Sequence, residues 1–432
     1  MSGVGKGIVT SSIGTLLEAR GVHVNTVKVD PYLNVDAGTM NPTEHGEVFV
    51  LKSGLETDQD LGNYERFLNR DLNSEDTITS GMVYQTVLQN ERSLKYGGKC
   101  VEAIPHVQDE IIRRFKAASS SNGSDVSVIE IGGTVGDFQN ALFIEAARVL
   151  KMQKPKDVLF VMMSYLPIPN KLGEMKSKPT QNAIRLLNSY GVQPDIIIAR
   201  SEKALDKKRK EKIAISCSIY SDHVISAPDI ESIYDVPVNF EKDNLGEIIL
   251  ELLGSKNKKN NTDLKDWKKF VAKSKKSLNG KKEVNIAVVG KYFNTGDFVL
   301  SDAYISIIEA LKFSAYKVGI KPVLHWLNSK EFDNAVPAGR QGGSKLKQLK
   351  KYDGIIIPGG FGETGIDGKL KVIQFARENK IPYFGLCYRL QLGNPPLGIA
   401  SRALRTTSRA TASVRDRRTT PRTTSSVLGT RM

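Results

Sequence analysis

The sequence predicts an α/β protein whose first domain is a doubly wound parallel sheet and whose second, shorter domain is again α/β. Three observations carry this. Strand-like apolar runs alternate with helical patterns over the first 250 or so residues. A glycine–lysine turn, SGVGKG (2–7), opens the first helix. After a lysine-rich break, strand and helix patterns resume at Glu283.

In chain order, the run 7–21 carries apolar residues at helical spacing and stops at Gly21. VHVNTVKVD (22–30), SDVSVIEIGG (124–133), DVLFVMMSYLP (157–167) and PDIIIAR (194–200) read as buried strands. From Ser255 to Lys282 the only larger apolar residues are Leu264, Trp267, Phe270, Val271 and Leu278, which predicts a linker bearing one exposed helix. Beyond it, 284–292 and 321–327 read as strands and 301–316 as a helix. The runs 352–362 and 381–388 read as strands entering turns. The expected division is therefore a domain over 1–254, a lysine-rich linker over 255–283, a partial second domain over 284–392 and an aberrant, disordered tail over 393–432.

Charge and composition narrow the function. The net charge of +15 resolves into +8 over 255–283 (eleven Lys against three acids) and +7 over 393–432 (eight Arg against Asp416). The remainder is neutral, so the excess sits on a linker and a tail, and specific nucleic-acid binding is not expected. No apolar run approaches the ~18 residues of a membrane span, and no membrane partner is expected. The separated Cys100, Cys217 and Cys387 suit a reducing, cytoplasmic compartment. The tail holds eight Arg, eight Thr and five Ser but no Lys or aromatic residue, whereas the preceding chain favours Lys. That break falls inside an expected helix, which predicts a shifted reading frame.

Four motifs carry chemistry. In SGVGKG, glycines admit a phosphate to backbone N–H groups, the helix N-terminus adds positive potential, and Lys6 supplies a charge. The loop is P-loop-like but deviant, since Gly7 stands where Ser or Thr would hold magnesium. KVDPYLNVDAGTMNPTEHGEVFVLKSGLETDQDLGNYERF (28–67) is too rich in charge and turn residues for a core strand and reads as a substrate loop. Its Asp58 and Asp60 suit Mg²⁺, which takes one or two carboxylates plus phosphate oxygens. In VIEIGGTVGDFQN (128–140), Glu130 ends a strand and enters a glycine turn, where α/β sheets place ligands. In GEMKSKPTQNAIRLL (173–187), Lys176 and Lys178 precede a helix start suited to a triphosphate.

Taken in order, KVDPYLNVDAGTMNPTEHGEVFV, DLGNYERF, EIGGTVGD and KSKPTQ resemble the CTP synthase family, with SIYDVP (232–237) closing the first domain. VGKY, SDAY with EAL, PGGFG and GLCYRLQL extend the resemblance to Leu392. It implies a synthetase (amidoligase) domain followed by a truncated class I glutamine amidotransferase domain. The implied reaction is ATP-dependent phosphorylation of UTP at O4 and displacement of the phosphate by ammonia, giving CTP.

By that resemblance Gly3, Val4, Gly5, Lys6, Gly7 and Ile8 hold ATP phosphates, Pro228, Asp229 and Ile230 surround adenine, and Asp60 and Glu130 bind Mg²⁺. Ser2, Asp137, Phe138, Gln139, Lys176, Ser177, Lys178, Pro179, Thr180, Gln181 and Lys212 hold UTP, or CTP as feedback inhibitor. Lys28 and His45 lie close to the nucleotides. Gly359 and Gly360 form the oxyanion hole and glutamine site with Tyr388, Arg389, Leu390 and Gln391, and Cys387 is the nucleophile. A homotetramer and GTP as allosteric activator are further implications.

The departures from the family pattern set further expectations. Arg389 replaces a glycine of the nucleophile turn, and neither histidine nor glutamate follows Cys387, so glutaminase activity is expected to be lacking. The strand and glycine pair that precede the phosphate loop in the family are absent, which reads as a start placed downstream of the natural one. Two other readings are a P-loop ATPase switch of the partitioning type and a non-catalytic regulatory relative. The KSKPTQ segment argues against the first.

Overall fold

A computed structural model of the chain describes residues 3–169, 173–255, 264–295, 298–299, 302–333, 344–360 and 365–386. Ser2, Cys387, Tyr388, Arg389, Leu390, Gln391 and the segment 393–432 lie outside the described residues. The described residues fall into two compact units, those within 1–283 and 300–321 and those within 284–299 and 322–432. The units are α/β with parallel strand pairing, as the alternating patterns predict.

The first unit opens on helix α1 (Lys6–Ala19) and strand β1 (Val24–Asp30). A short helix α2 (Pro42–His45), a two-residue hairpin β2 (Phe49–Val50) and β3 (Glu56–Thr57), and α3 (Gln59–Leu68) follow. Then come β4 (Thr77–Thr79), α4 (Ser80–Arg92), α5 (Gln108–Ser120), β5 (Val126–Ile131) and α6 (Ala141–Gln153). The unit continues through β6 (Val161–Tyr165), α7 (Lys178–Ser189), β7 (Ile196–Ser201), α8 (Lys207–Cys217) and β8 (Val224–Pro228). Helices α9 (Val236–Glu241), α10 (Leu245–Leu252) and α11 (Lys265–Leu278) close its contiguous part.

Apart from the antiparallel β2–β3 hairpin, its strands form two parallel sheets, ordered β4-β1-β5 and β6-β7-β8. One apolar core reaches both: Leu16 and Leu17 of α1 pack with Val24, Ile196, Ile198 and Ile225, with Val126 and Met163 at its margin. Each fully buried leucine contributes about 1.5–3 kcal/mol as an upper bound. Helix α1 stops at Gly21, whose positive φ of 79° suits a residue without Cβ. Just before it, buried Arg20 pairs with Glu241 at 3.1 Å and Glu247 at 3.0 Å. Gly246 makes room, since a Cβ there would stand 2.4 Å from that guanidinium.

The lysine-rich segment carries α11, which buries Val271, Ser274 and Ser277 while its lysines face solvent. Charge run and amphipathic helix coexist because the helical period separates them. The second unit places β9 (Glu283–Gly290), β12 (Lys321–Asn328), β13 (Gly354–Ile357) and β14 (Tyr383–Gly385) in one sheet, in the order β12-β9-β13-β14. A hairpin of β10 (Asn294–Thr295) and β11 (Phe298–Val299) follows β9, and α13 (Ser344–Lys347) and α14 (Ile366–Glu378) complete the unit. Helix α12 (Ile305–Val318), between β11 and β12 in the chain, belongs by its contacts to the first unit.

Candidate active site

Strand register builds the centre of the site. On the parallel β1–β5 ladder Lys28 stands opposite Glu130, and Asp30, two residues on, shares the face of Lys28. These residues lie toward the carboxyl ends of their strands, where parallel sheets gather ligands. Helix α3 adds its first turn: the Asp58 carboxylate caps the helix by accepting the Asp60 N–H at 2.9 Å. That cap directs Asp60 at Lys28, with which it is hydrogen-bonded.

Lys28, 5% exposed, is thus ringed by acids. Its Nζ lies 3.1 Å from Glu130, 3.8 Å from Asp30 and 3.9 Å from Asp58, besides its bond to Asp60. Burial pulls its pKa down, but Glu130, Asp60, Asp30 and Asp58 together more than reverse this, and it stands well above the usual lysine value. Burial pushes the Asp30 carboxyl well up. Tyr64, one helical turn after Asp60, is fully buried and donates to the other Glu130 oxygen at 2.5 Å. Lys6 donates to the Gly133 carbonyl at 3.0 Å, and burial lowers its pKa while Glu130 opposes.

Gly7, a departure from the usual phosphate loop, has a local cause. A Cβ at that position would stand 2.0 Å from the Asp60 carboxylate. Asp60 fills the space that a Ser or Thr side chain would need. Gly3 and Gly5 take positive φ of 71° and 91°, conformations that let the loop turn into α1.

Four carboxylates and two lysines leave the cluster short of positive charge. Among the described residues no three His, Cys, Asp or Glu side chains are grouped as a ready metal cage. Mg²⁺, however, binds through one or two carboxylates together with phosphate oxygens, so the pair Asp60 and Glu130 fits it.

The other expected site residues fall in two places. Asp229 follows β8 and accepts from Arg200 Nε at 3.1 Å, while Arg200 Nη1 approaches the Gly3 carbonyl at 3.5 Å. Arg200 therefore ties the Pro228–Ile230 stretch to the phosphate loop. At the start of α7, buried Thr180 accepts from Ser164 at 2.8 Å and Gln181 donates to Ser177 at 3.2 Å. Lys176 pairs with Glu174 at 2.6 Å. That hydrogen bond, with Lys212 and Arg209 adding to it, holds Glu174 below its ordinary value. Lys178 and Pro179 open the helix itself. Asp137 accepts from the Thr134 N–H at 2.7 Å, and the adjacent Gly136 packs on Leu186 of α7. Phe138 is 95% exposed, and Gln139 is exposed beside it. His45 ends α2, with its ring edge-on to Tyr32 at 5.7 Å.

In the second unit, Gly359 and Gly360 follow β13, and buried Lys369 of α14 donates to the Pro358 carbonyl at 2.9 Å. Sequence reasoning misses Asp30, Tyr64 and Arg200. Each carries a signal: Asp30 lies two residues from Lys28 on a strand, Tyr64 four from Asp60 on a helix, and Arg200 near a strand's carboxyl end.

The sequence profile described as "CTP synthase N-terminus" matches residues 1–255, and that described as "Glutamine amidotransferase class-I" matches 299–416. The CTP synthase of Pyrococcus furiosus is 45% identical over 393 residues, covering 91% of this chain and 69% of that protein. The chain belongs to the CTP synthase family. The CTP synthase of Methanococcus aeolicus is 44% identical, over 90% of this chain and 70% of that protein. A solved glutaminase domain of Trypanosoma brucei CTPS with bound acivicin shares 34% identity over 26% of this chain and 37% of that one, at a TM-score of 0.21. Membership of the CTP synthase family makes this a C–N bond-forming ligase of pyrimidine biosynthesis and disfavours the partitioning-type ATPase. Among the described residues no helix is long and apolar enough to cross a membrane.

The cluster also predicts a pH effect. Burial pushes the Asp58 carboxyl from its ordinary 3.8 up to about 6, with Lys28 opposing and Asp60 adding to the rise. A carboxyl raised on folding favours the folded state when protonated, so this contribution is full below 3.8 and lost as pH rises through about 6. Asp58→Asn keeps an acceptor for the Asp60 N–H and removes the charge. Without metal, the wild type should lose melting temperature relative to Asp58→Asn across that window. A difference independent of pH would count against the charge balance described.

Proposed function

We propose that this chain converts UTP to CTP through a 4-phosphorylated UTP intermediate, using ATP and ammonia that the family draws from glutamine. The observation that carries the reading is the Lys28 cluster, with Asp60 and Glu130, set beside the Gly3–Ile8 loop in a chain of this family.

The loop and the α1 N-terminus would take the ATP phosphates, with Lys6 leaving the Gly133 carbonyl to meet them. Arg200 would orient Pro228, Asp229 and Ile230 around adenine. Asp60 and Glu130 would hold Mg²⁺, which supplies charge neutralisation for the transferring phosphoryl group. Lys28 sits between these carboxylates and would turn its ammonium toward the same phosphate. Lys176 and Lys212 would receive the UTP triphosphate, with Ser177, Lys178, Pro179, Thr180 and Gln181 shaping the helix start below it. Ser2, Asp137, Phe138 and Gln139 would complete the nucleotide site, which CTP would occupy as inhibitor. His45 would close on it from α2.

For the second unit we propose glutamine binding at Gly359 and Gly360 with Tyr388, Arg389, Leu390 and Gln391, with Cys387 at the family's nucleophile position but without glutaminase turnover in this chain, so that free ammonia is its nitrogen source. GTP activation, a homotetramer, a cytoplasmic location and the division at residues 254, 283 and 392 belong to the same proposal. The test is chromatographic detection of CTP from UTP, ATP, Mg²⁺ and saturating ammonium. CTP formed with equimolar ADP supports the reading. ATP hydrolysis indifferent to UTP would overturn it.

A further inference from the structure

Helix α12 begins without a cap of its own: its N-cap residue, Tyr304, makes no side-chain capping hydrogen bond. The cap comes from far away in the chain. Glu47 accepts the Ser306 N–H at 3.0 Å and the Ser306 hydroxyl through the same carboxylate oxygen. Its own N–H donates to the Asp302 carbonyl at 3.2 Å. A carboxylate at a helix N-terminus also opposes the positive end of the helix dipole.

Glu47 sits two residues after His45. Between them Gly46 takes a positive φ of 84° and packs against Gln59, the residue before Asp60, at 2.9 Å from where a Cβ would lie. His45 meets Tyr32 edge-on, and the Tyr32 hydroxyl reaches Asp30 of the carboxylate cluster at 3.4 Å. The path from Asp30 therefore runs through the Tyr32 and His45 side chains, then along the chain through Gly46 to Glu47 and the first turn of α12. The rest of α12 is anchored as well. Glu309 accepts from Tyr234 at 2.6 Å, and Phe313 packs on Tyr234 and Phe270.

We propose that Glu47 is a positioning residue: by capping α12 it fixes the Pro42–Gly46 turn and holds His45 against Tyr32 beside the nucleotide site. Without the cap, the hydrogen bonds that still hold the turn are the backbone bond from Glu47 to Asp302 and local ones such as Asn41 accepting from Thr43 at 3.1 Å. Helix α12 then acts as the support for His45, although its chain neighbours on both sides belong to the second unit.

The test uses the full chain with Glu47→Ala, Glu47→Asp and Glu47→Gln, followed by amide hydrogen exchange. Glu47→Ala should speed exchange about five- to tenfold both in 41–47 and in the first turn of α12, the size of a lost helix cap. Exchange in β1 and β5 should not change. Glu47→Asp, too short to reach Ser306, should behave like Ala, and it serves if the Ala variant does not fold. Glu47→Gln keeps the acceptor and should stay near wild type. Loosening confined to α12, or none, would overturn the proposal. The kinetic counterpart, which rests on the functional reading above, is a KM for UTP raised about fivefold with kcat little changed. If the wild type makes no CTP, the functional reading fails, while the exchange result still decides the role of Glu47.

Discussion

Lys28→Met is expected to unfold the first unit at a temperature on the order of ten degrees below the wild type. One buried ammonium balances Glu130, Asp60, Asp30 and Asp58, and methionine fills its volume without its charge. Removing one partner of a buried ion pair costs about 3–5 kcal/mol, because the opposite charges stay buried. Each kcal/mol shifts the melting temperature of a domain this large by about 2–4 °C. The uncompensated acids should also invite a divalent cation. Added Mg²⁺ should therefore stabilise Lys28→Met more than the wild type, a ligand effect visible as a larger rise in melting temperature. Calorimetry with and without Mg²⁺ checks both points. An unshifted melting temperature, or an equal response to Mg²⁺, would mean that Lys28 does not balance the cluster.

Asp60→Ala and Glu130→Ala should each abolish ammonia-driven CTP formation, since the phosphoryl group loses the carboxylates proposed to hold its metal. The two should differ in stability. Glu130, with a side chain 3% exposed, engages both Lys28 and Tyr64, whereas Asp60 is 24% exposed and its removal leaves Lys28 with three acids. Glu130→Ala should therefore melt lower than Asp60→Ala. Steady-state rates over a Mg²⁺ titration, on variants shown to be folded, decide the matter. Retention of more than about a tenth of the wild-type rate, a loss of under ~1.4 kcal/mol, would reject that residue as a metal ligand.

Much of this site is legible in the sequence alone. Lys6, Lys28, Asp60 and Glu130 are each readable because phosphate loops and strand ends leave local signatures. Their convergence is not, because it depends on register: only the β1–β5 pairing sets Lys28 opposite Glu130. Gly7 looks like a defect of the loop in sequence, and only the fold shows Asp60 filling the space beside it. The strands expected at 22–30, 124–133, 157–167 and 194–200 appear as β1, β5, β6 and β7, the first three within shorter bounds and β7 shifted to end at Ser201. Three-residue β4 and the β2–β3 hairpin are too short to show a period, so the sequence does not announce them. For α12 the amphipathic pattern announces a helix but cannot say which core it joins. Its buried Glu309 and its aromatic face choose the first unit. Glu47 carries no signal at all, since a cap supplied from 259 residues away leaves no local spacing to read.

The most direct test of the account follows the oxygen of the uracil ring. UTP carrying a heavy isotope at O4 is supplied to the purified chain with ATP, Mg²⁺ and ammonium, and the products are analysed by mass spectrometry. If ATP phosphorylates O4 and ammonia then displaces the phosphate, the label must leave with inorganic phosphate, one labelled phosphate for each CTP. Labelled phosphate appearing in step with CTP is the predicted result. Unlabelled phosphate with the heavy oxygen retained in UTP or released to water would contradict it.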